Sequence, residues 1–158
     1  MTDFIELVAT SKRFNYEYAK GYSDEDIVYI EKLYDINVSG QLRSFLSQIG
    51  RCAGNAIGDD QLFFYSQRSV RQQFNYQKSL NGRFRGYKKK YYFLGNAGYE
   101  YYVFLQTNTE NPDQIYTFNV SRNNELQATE KTLFDYISDC LHKSQSKIPF
   151  SFEGSIIP

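Results

Sequence analysis

Between Asn81 and Phe93 the chain reads NGRFRGYKKKYYF, five cations and five aromatics in thirteen residues. Arg83, Arg85, Lys88, Lys89 and Lys90 are interleaved with Phe84, Tyr87, Tyr91, Tyr92 and Phe93. Cations that track phosphates, set among flat rings that stack on bases, are what a single-stranded nucleic-acid groove requires. The same residue types serve a protein interface, where Arg and Tyr carry binding energy and Lys steers an acidic partner. A third use needs no ligand, because lysines beside a sheet edge keep it from pairing with other chains. The end of the run looks like the start of a strand, in which alternate side chains turn inward. At least half of its aromatics are therefore expected in the core. Arg83, Arg85, Tyr87, Lys88, Lys89 and Lys90 remain as a candidate partner-binding loop, with edge protection as the plain alternative.

A second set has the opposite sign. Asp24, Glu25 and Asp26 are consecutive, and Asp59 and Asp60 form a further pair. Carboxylates of this kind can face a basic active-site cleft on a partner, so these five residues form the alternative partner-binding set. Asp24–Asp26 also suit the first turn of a helix, whose positive end favours anions. The whole chain is balanced at 18 Lys+Arg and 18 Asp+Glu. Residues 1–60 hold six basic and ten acidic side chains (net −4), and residues 61–100 hold eight and one (net +7). Residues 101–158 hold four and seven (net −3). Acidic blocks on both sides of the basic one oppose phosphate binding, so nucleic acid is the weaker reading of the opening run.

The residues that carry catalysis are sparse. His142 is the single histidine and precedes Lys143 in the last turn of a predicted helix, where a cation suits the C-terminal end. Cys52 and Cys140 have no metal-ligand spacing: Cys140 falls in the closing helix as core or boundary filling, and Cys52 in a loop. GNAIG and GNAG lack the Lys-Ser/Thr that follows a phosphate-binding turn. Asp59-Asp60 can hold a divalent cation only with a third carboxylate, and a solvated loop cap is the simpler use. The expectation is a protein without catalytic residues, metal or cofactor that works by binding another protein.

These residues need elements to position them. Apolar positions at Phe4, Leu7, Val8, Phe14 and Tyr18 predict a helix over 3–20, with Gly21 as its stop. Ser23-Asp24-Glu25-Asp26 is a capping-box sequence leading into Ile27, Ile30 and Tyr34 at helical spacing. Ser39 reads as a second N-cap before Leu42, Phe45, Leu46 and Ile49, with Gly50 closing. Strands are predicted at Leu62–Tyr65, Tyr91–Leu94, Tyr99–Leu105 and Ile115–Val120, the second and third joined by a turn at GNAG. A short helix fits Val70–Leu80, and a last one starts at Thr132, with Asp135 completing a second capping box. The tail, 144–158, is apolar enough to dock on the body. The pattern is α+β: N-terminal helices on one side of a mainly antiparallel sheet of four to six strands, closed by a C-terminal helix.

At 158 residues the chain fits one domain with a proper core. Fifteen Tyr and thirteen Phe favour strands, and two cysteines without framework spacing suit a reducing compartment. Asp3 and Glu6 break the first apolar run, so no signal peptide is read, and no run reaches the ~20 residues needed to cross a bilayer. The reading is a cytoplasmic protein.

One further signal lies in the order of elements over about Ser23 to Leu141. A capped helix carries Ile27, Glu31 and Leu33, and a second ends RSFLSQIGRCAG. LFFY, YYFLGNAGYEYYVFL, IYTFNV and a terminal TLFDYISDCL follow. This order resembles the SUKH superfamily, the fold of fungal cell-wall-assembly regulators. The resemblance implies an α+β fold. For bacterial members it also implies an immunity protein that binds and blocks a cognate toxin of the polymorphic or contact-dependent growth-inhibition kind. Eukaryotic members imply the alternative, a regulatory scaffold.

Overall fold

A computed structural model describes residues 2–57, 69–80, 91–97, 101–119, 126–143 and 154–156. Asp26 N–H donates to Ser23 Oγ at 3.1 Å and Ser23 N–H to Asp26 Oδ2 at 3.3 Å, so the predicted capping box forms. It starts α2, Asp24–Tyr34, which buries Ile27, Ile30 and Tyr34. The next helix, α3, spans Gly40–Ile49 and buries Leu42, Phe45, Leu46 and Ile49.

The cap of α3 differs from the expected one. Ser39 makes no side-chain cap bond. Gly40 has φ +59°, and a β-carbon there would collide with the Asp113 carboxylate. Asp113 Oδ1 accepts from Gln41 N–H at 2.8 Å, so a residue distant in sequence closes the helix start. Gln41 in turn accepts at Oε1 from Phe134 N–H at 2.8 Å, and the Asp113 carbonyl accepts from Leu133 N–H at 2.8 Å. These bonds tie α3 to the start of the closing helix α5, Leu133–Lys143. The predicted Thr132–Asp135 box is also present, with Asp135 N–H to Thr132 Oγ1 at 3.3 Å and Thr132 N–H to Asp135 Oδ2 at 3.0 Å.

The N-terminal helix is shorter than the 3–20 expected. Helix α1 covers Phe4–Val8. Thr10 Oγ1 donates back to Leu7 C=O at 2.7 Å, and Asn15 Oδ1 accepts from Glu17 N–H at 3.0 Å to open a 3-10 turn, Tyr16–Tyr18. Such local side-chain bonds compete with helix continuation, and no apolar residue extends the stripe at 11 or 12. Strand β1, Ala19–Lys20, then pairs antiparallel with β2, Cys52–Ala53. Cys52 is therefore a buried strand residue and not a loop thiol. Gly21 follows β1 where a β-carbon would overlap the Ser47 carbonyl, and its glycine lets Tyr22 N–H reach Leu46 C=O at 2.8 Å.

Four strands form the main sheet in the order β3-β4-β5-β6, all antiparallel: Tyr92–Ala97, Tyr101–Leu105, Gln114–Asn119 and Gln127–Thr132. Strand β3 runs past Leu94, so Gly95–Ala97 of the predicted turn belong to the ladder. The register shifts between Phe93 and Gly95, where a residue without a side chain eases a bulge. Strand β6 was not expected, and the predicted strand Leu62–Tyr65 lies outside the described residues. Helix α4, Val70–Leu80, forms as predicted.

Both faces of the sheet are covered with apolar side chains. Tyr92, Leu94, Val103, Leu105 and Ile115 join one core with Phe4, Ile27, Ile30, Phe45, Leu46, Leu133 and Ile137 from α1, α2, α3 and α5. Tyr91, Phe93, Phe104 and Phe118 form a second cluster with Leu80 of α4. Strand alternation explains the division, since neighbouring residues point to opposite faces. The fold is α+β, and among the described residues no helix is long and apolar enough to cross a membrane. Part of the tail is also placed. Gly154 N–H donates to Arg51 C=O at 2.7 Å, while Val70 and Arg71 N–H donate to the carbonyls of Ser155 (2.9 Å) and Ile156 (3.3 Å). The tail carbonyls thus satisfy the free amides at the start of α4.

Candidate protein-binding surface

Arg83, Arg85, Tyr87, Lys88, Lys89 and Lys90 lie outside the described residues, as do Asp59 and Asp60, but the stems of the basic run are described. On one side the chain leaves α4 at Leu80, and on the other Tyr91 directly precedes β3. Leu80 and Tyr91 belong to the same aromatic cluster. The Tyr91 and Phe104 rings meet edge to face with centroids 4.9 Å apart, and Tyr76 lies 5.5 Å from Phe93. Tyr91, Tyr92 and Phe93 are all buried. None of the three offers a face to a base, which removes three of the five aromatics that suggested nucleic acid.

Burial sets the acid-base character of this stem. It pushes the Tyr91 phenol up to about 12, because a phenolate would lose its hydration there. Burial raises Tyr92 as well, opposed by the bond between its hydroxyl and Gln73 Oε1 at 3.4 Å. Tyr34 is raised most by burial and then by the neighbouring Tyr92 and Tyr22 phenols. Among the described residues the buried Tyr34 hydroxyl has no hydrogen-bond partner. All three remain neutral rings near neutral pH and serve as packing.

The stem is also laced by two amides. Gln77 Nε2 donates to Tyr91 C=O at 2.9 Å, and Phe93 N–H donates to Gln77 Oε1 at 2.8 Å. Gln73 Nε2 donates to Phe93 C=O. Both glutamines are buried on α4. Sequence reading missed them, although amides at two of the four positions Val70, Gln73, Gln77 and Leu80 interrupt an otherwise apolar stripe.

The acidic alternative is partly engaged in the fold. Asp26 completes the α2 capping box, and Asp24 Oδ1 pairs with Arg43 Nη2 at 3.0 Å. Glu25 is exposed on the same turn. The three carboxylates sit together at the start of α2, but only Glu25 keeps its charge without one of these structural partners.

Two surface features escaped the sequence reading. Tyr16 and Tyr18 are 70% and 45% exposed on the 3-10 turn, rings of the type that anchors interfaces. An open cleft of about 530 Å³ lies between residues 110–114 and β6, with Glu110, Asp113, Glu130 and Lys131 among its walls. The Asp113 carboxylate is held by α3 and Lys131 is paired with Asp139. That pairing raises the Lys131 ammonium, chiefly through the hydrogen bond from its Nζ to the carboxylate.

The described residues bring together little that resembles catalysis. His142 Nδ1 lies 2.8 Å from the Ser138 carbonyl, a contact that tethers the ring to the last turns of α5. Cys52 and Cys140 are free thiols in buried positions. Among the described residues no group of three or more His, Cys, Asp or Glu side chains is placed to hold a metal ion. No protein-family model, curated protein or solved structure matches the chain.

Proposed function

We propose that this chain is an immunity protein of the SUKH type, which binds a cognate toxin domain one to one and blocks its active site or substrate channel. It performs no chemistry of its own in this reading and acts in the cytoplasm. The observation that supports the docking site is the anchoring of both stems of the basic run, Leu80 and Tyr91, in one buried aromatic cluster. A run held at both ends on a packed base gives up less conformational freedom on binding than one on frayed ends. Arg83, Arg85, Tyr87, Lys88, Lys89 and Lys90 form the docking surface, and the partner offers an acidic patch. Asp24, Glu25, Asp26, Asp59 and Asp60 form the second candidate surface.

Co-expression with the toxin encoded beside its gene tests the reading. Growth is expected to recover and a one-to-one complex to purify; continued killing in the presence of the folded protein would sink the idea and favour a regulatory scaffold. Reversing Arg83, Arg85 and Lys88–Lys90 to Glu is expected to slow association while the fold survives. An unchanged on-rate moves the docking surface to the carboxylates of α2.

A further inference from the structure

Three consecutive residues of the tail each hold a different part of the molecule. Gly154 exchanges two bonds with Arg51, the residue before β2. Its N–H donates to the Arg51 carbonyl at 2.7 Å, and its own carbonyl accepts from Arg51 Nε at 3.1 Å. The Ser155 carbonyl accepts from Val70 N–H at 2.9 Å and from the Tyr22 hydroxyl at 3.5 Å. Ser155 also forms a parallel bridge with Ser69. The Ile156 carbonyl accepts from Arg71 N–H at 3.3 Å, and its side chain packs against the main core. The approach is close, since a β-carbon at Gly154 would lie 2.8 Å from the Tyr22 hydroxyl oxygen.

The partners of α4 divide along its length. Val70 and Arg71 bond to the tail. Further along, Gln73 and Gln77 bond to β3, and Phe74 meets Tyr34 of α2 edge to face at 4.9 Å. We propose that Gly154–Ile156 is a clasp that releases Arg51 and the first turn of α4 together, in an opening that leaves the rest of the helix on the sheet. Local openings of this kind occur where few buried contacts must break. Ser155 and Ile156 are half-buried, and Arg71 and Gln72 are exposed. By linkage, a ligand that binds the released tail also frees the start of α4, and one that holds that turn in place keeps the tail fastened. The inference is independent of what the basic run binds.

The test uses the whole chain carrying Gly154→Val, which wedges the tail away from Tyr22, with hydrogen exchange followed amide by amide. Exchange at Val70 is expected to be about tenfold faster than in the parent, the loss of one hydrogen bond read as an opening equilibrium. Arg71 is expected to gain less, because its N–H also has Ser69 Oγ at 3.2 Å. The amides of Gln77 in α4, Ile30 in α2 and Ile137 in α5 are expected to keep their parent rates. Unchanged exchange at Val70 in the folded variant overturns the proposal. So does an acceleration shared equally by Gln77, Ile30 and Ile137, which would mean that the tail opens only with the whole fold. If Gly154→Val does not fold, Gly154→Ala carries the smaller wedge and is read against the same amides.

Discussion

The two edges of the main sheet solve one problem by opposite means. At β3 the outward peptide groups lie among buried aromatics, and Gln73 and Gln77 supply partners from a helix. At β6 the strand is mostly exposed, and its register with β5 is broken between Gln114 and Tyr116. There Thr129 Oγ1 donates to Ile115 C=O at 2.8 Å and Gln114 Nε2 to Thr129 C=O at 2.6 Å, while Lys131 pairs with Asp139. A bulged, charged edge is a poor template for another strand and can use water for the rest. The lesson is that the demand for partners follows burial. An edge among rings must be satisfied by the protein, and an edge in solvent need only be made irregular.

That contrast can be broken at the strand where it is greatest. Phe93→Ala empties a fully buried position in the second cluster and is expected to cost about 3–5 kcal/mol, read from urea unfolding. A cost below about 1 kcal/mol would mean that the β3 side is not the packed edge. Alkali probes the same region more gently. The Tyr91 phenol titrates at about 12 in the fold and near 10 when unfolded. Its stabilising contribution is therefore complete below pH 10 and is lost as pH rises through about 12. Tyr91→Phe is expected to shift the alkaline unfolding midpoint upward, followed by circular dichroism and tyrosinate absorbance; an unmoved midpoint assigns the transition to Tyr34 and Tyr92. The smallest effect belongs to the open edge. Glu130→Val is expected to change stability by about 0.5 kcal/mol or less by thermal unfolding, because the residue is exposed. A larger loss would show that β6 carries weight the exposed pattern hides.

The helices were legible where a local rule starts them. Ser23 with Asp26, and Thr132 with Asp135, satisfy caps within four residues, and both helices begin where those pairs stand. Tyr92, Phe104 and Phe118 announced their strands because rings on a pleated surface are buried on one face or the other. What failed to show depends on distant partners or on solvent. The α3 cap is Asp113 and not the adjacent Ser39, a choice made by tertiary packing. QATEKT carries one apolar residue, so a strand exposed to water leaves no alternating signal. The candidate site divides in the same way. YYF was readable as core, whereas the amides that hold its edge look like ordinary polar residues until the strand lies beside them.

The fastening of α4 by the tail has a consequence in time. The carbonyls that receive the Val70 and Arg71 amides belong to Ser155 and Ile156. A ribosome adding about 5–20 residues per second reaches them some 4–17 s after it passes the start of the helix. During that interval the start of α4 lacks these acceptors. The helix packed against β3 is therefore held at its own beginning by a segment made well after it. All four strands of the main sheet are likewise synthesised before the carbonyls that fasten the helix packed against it.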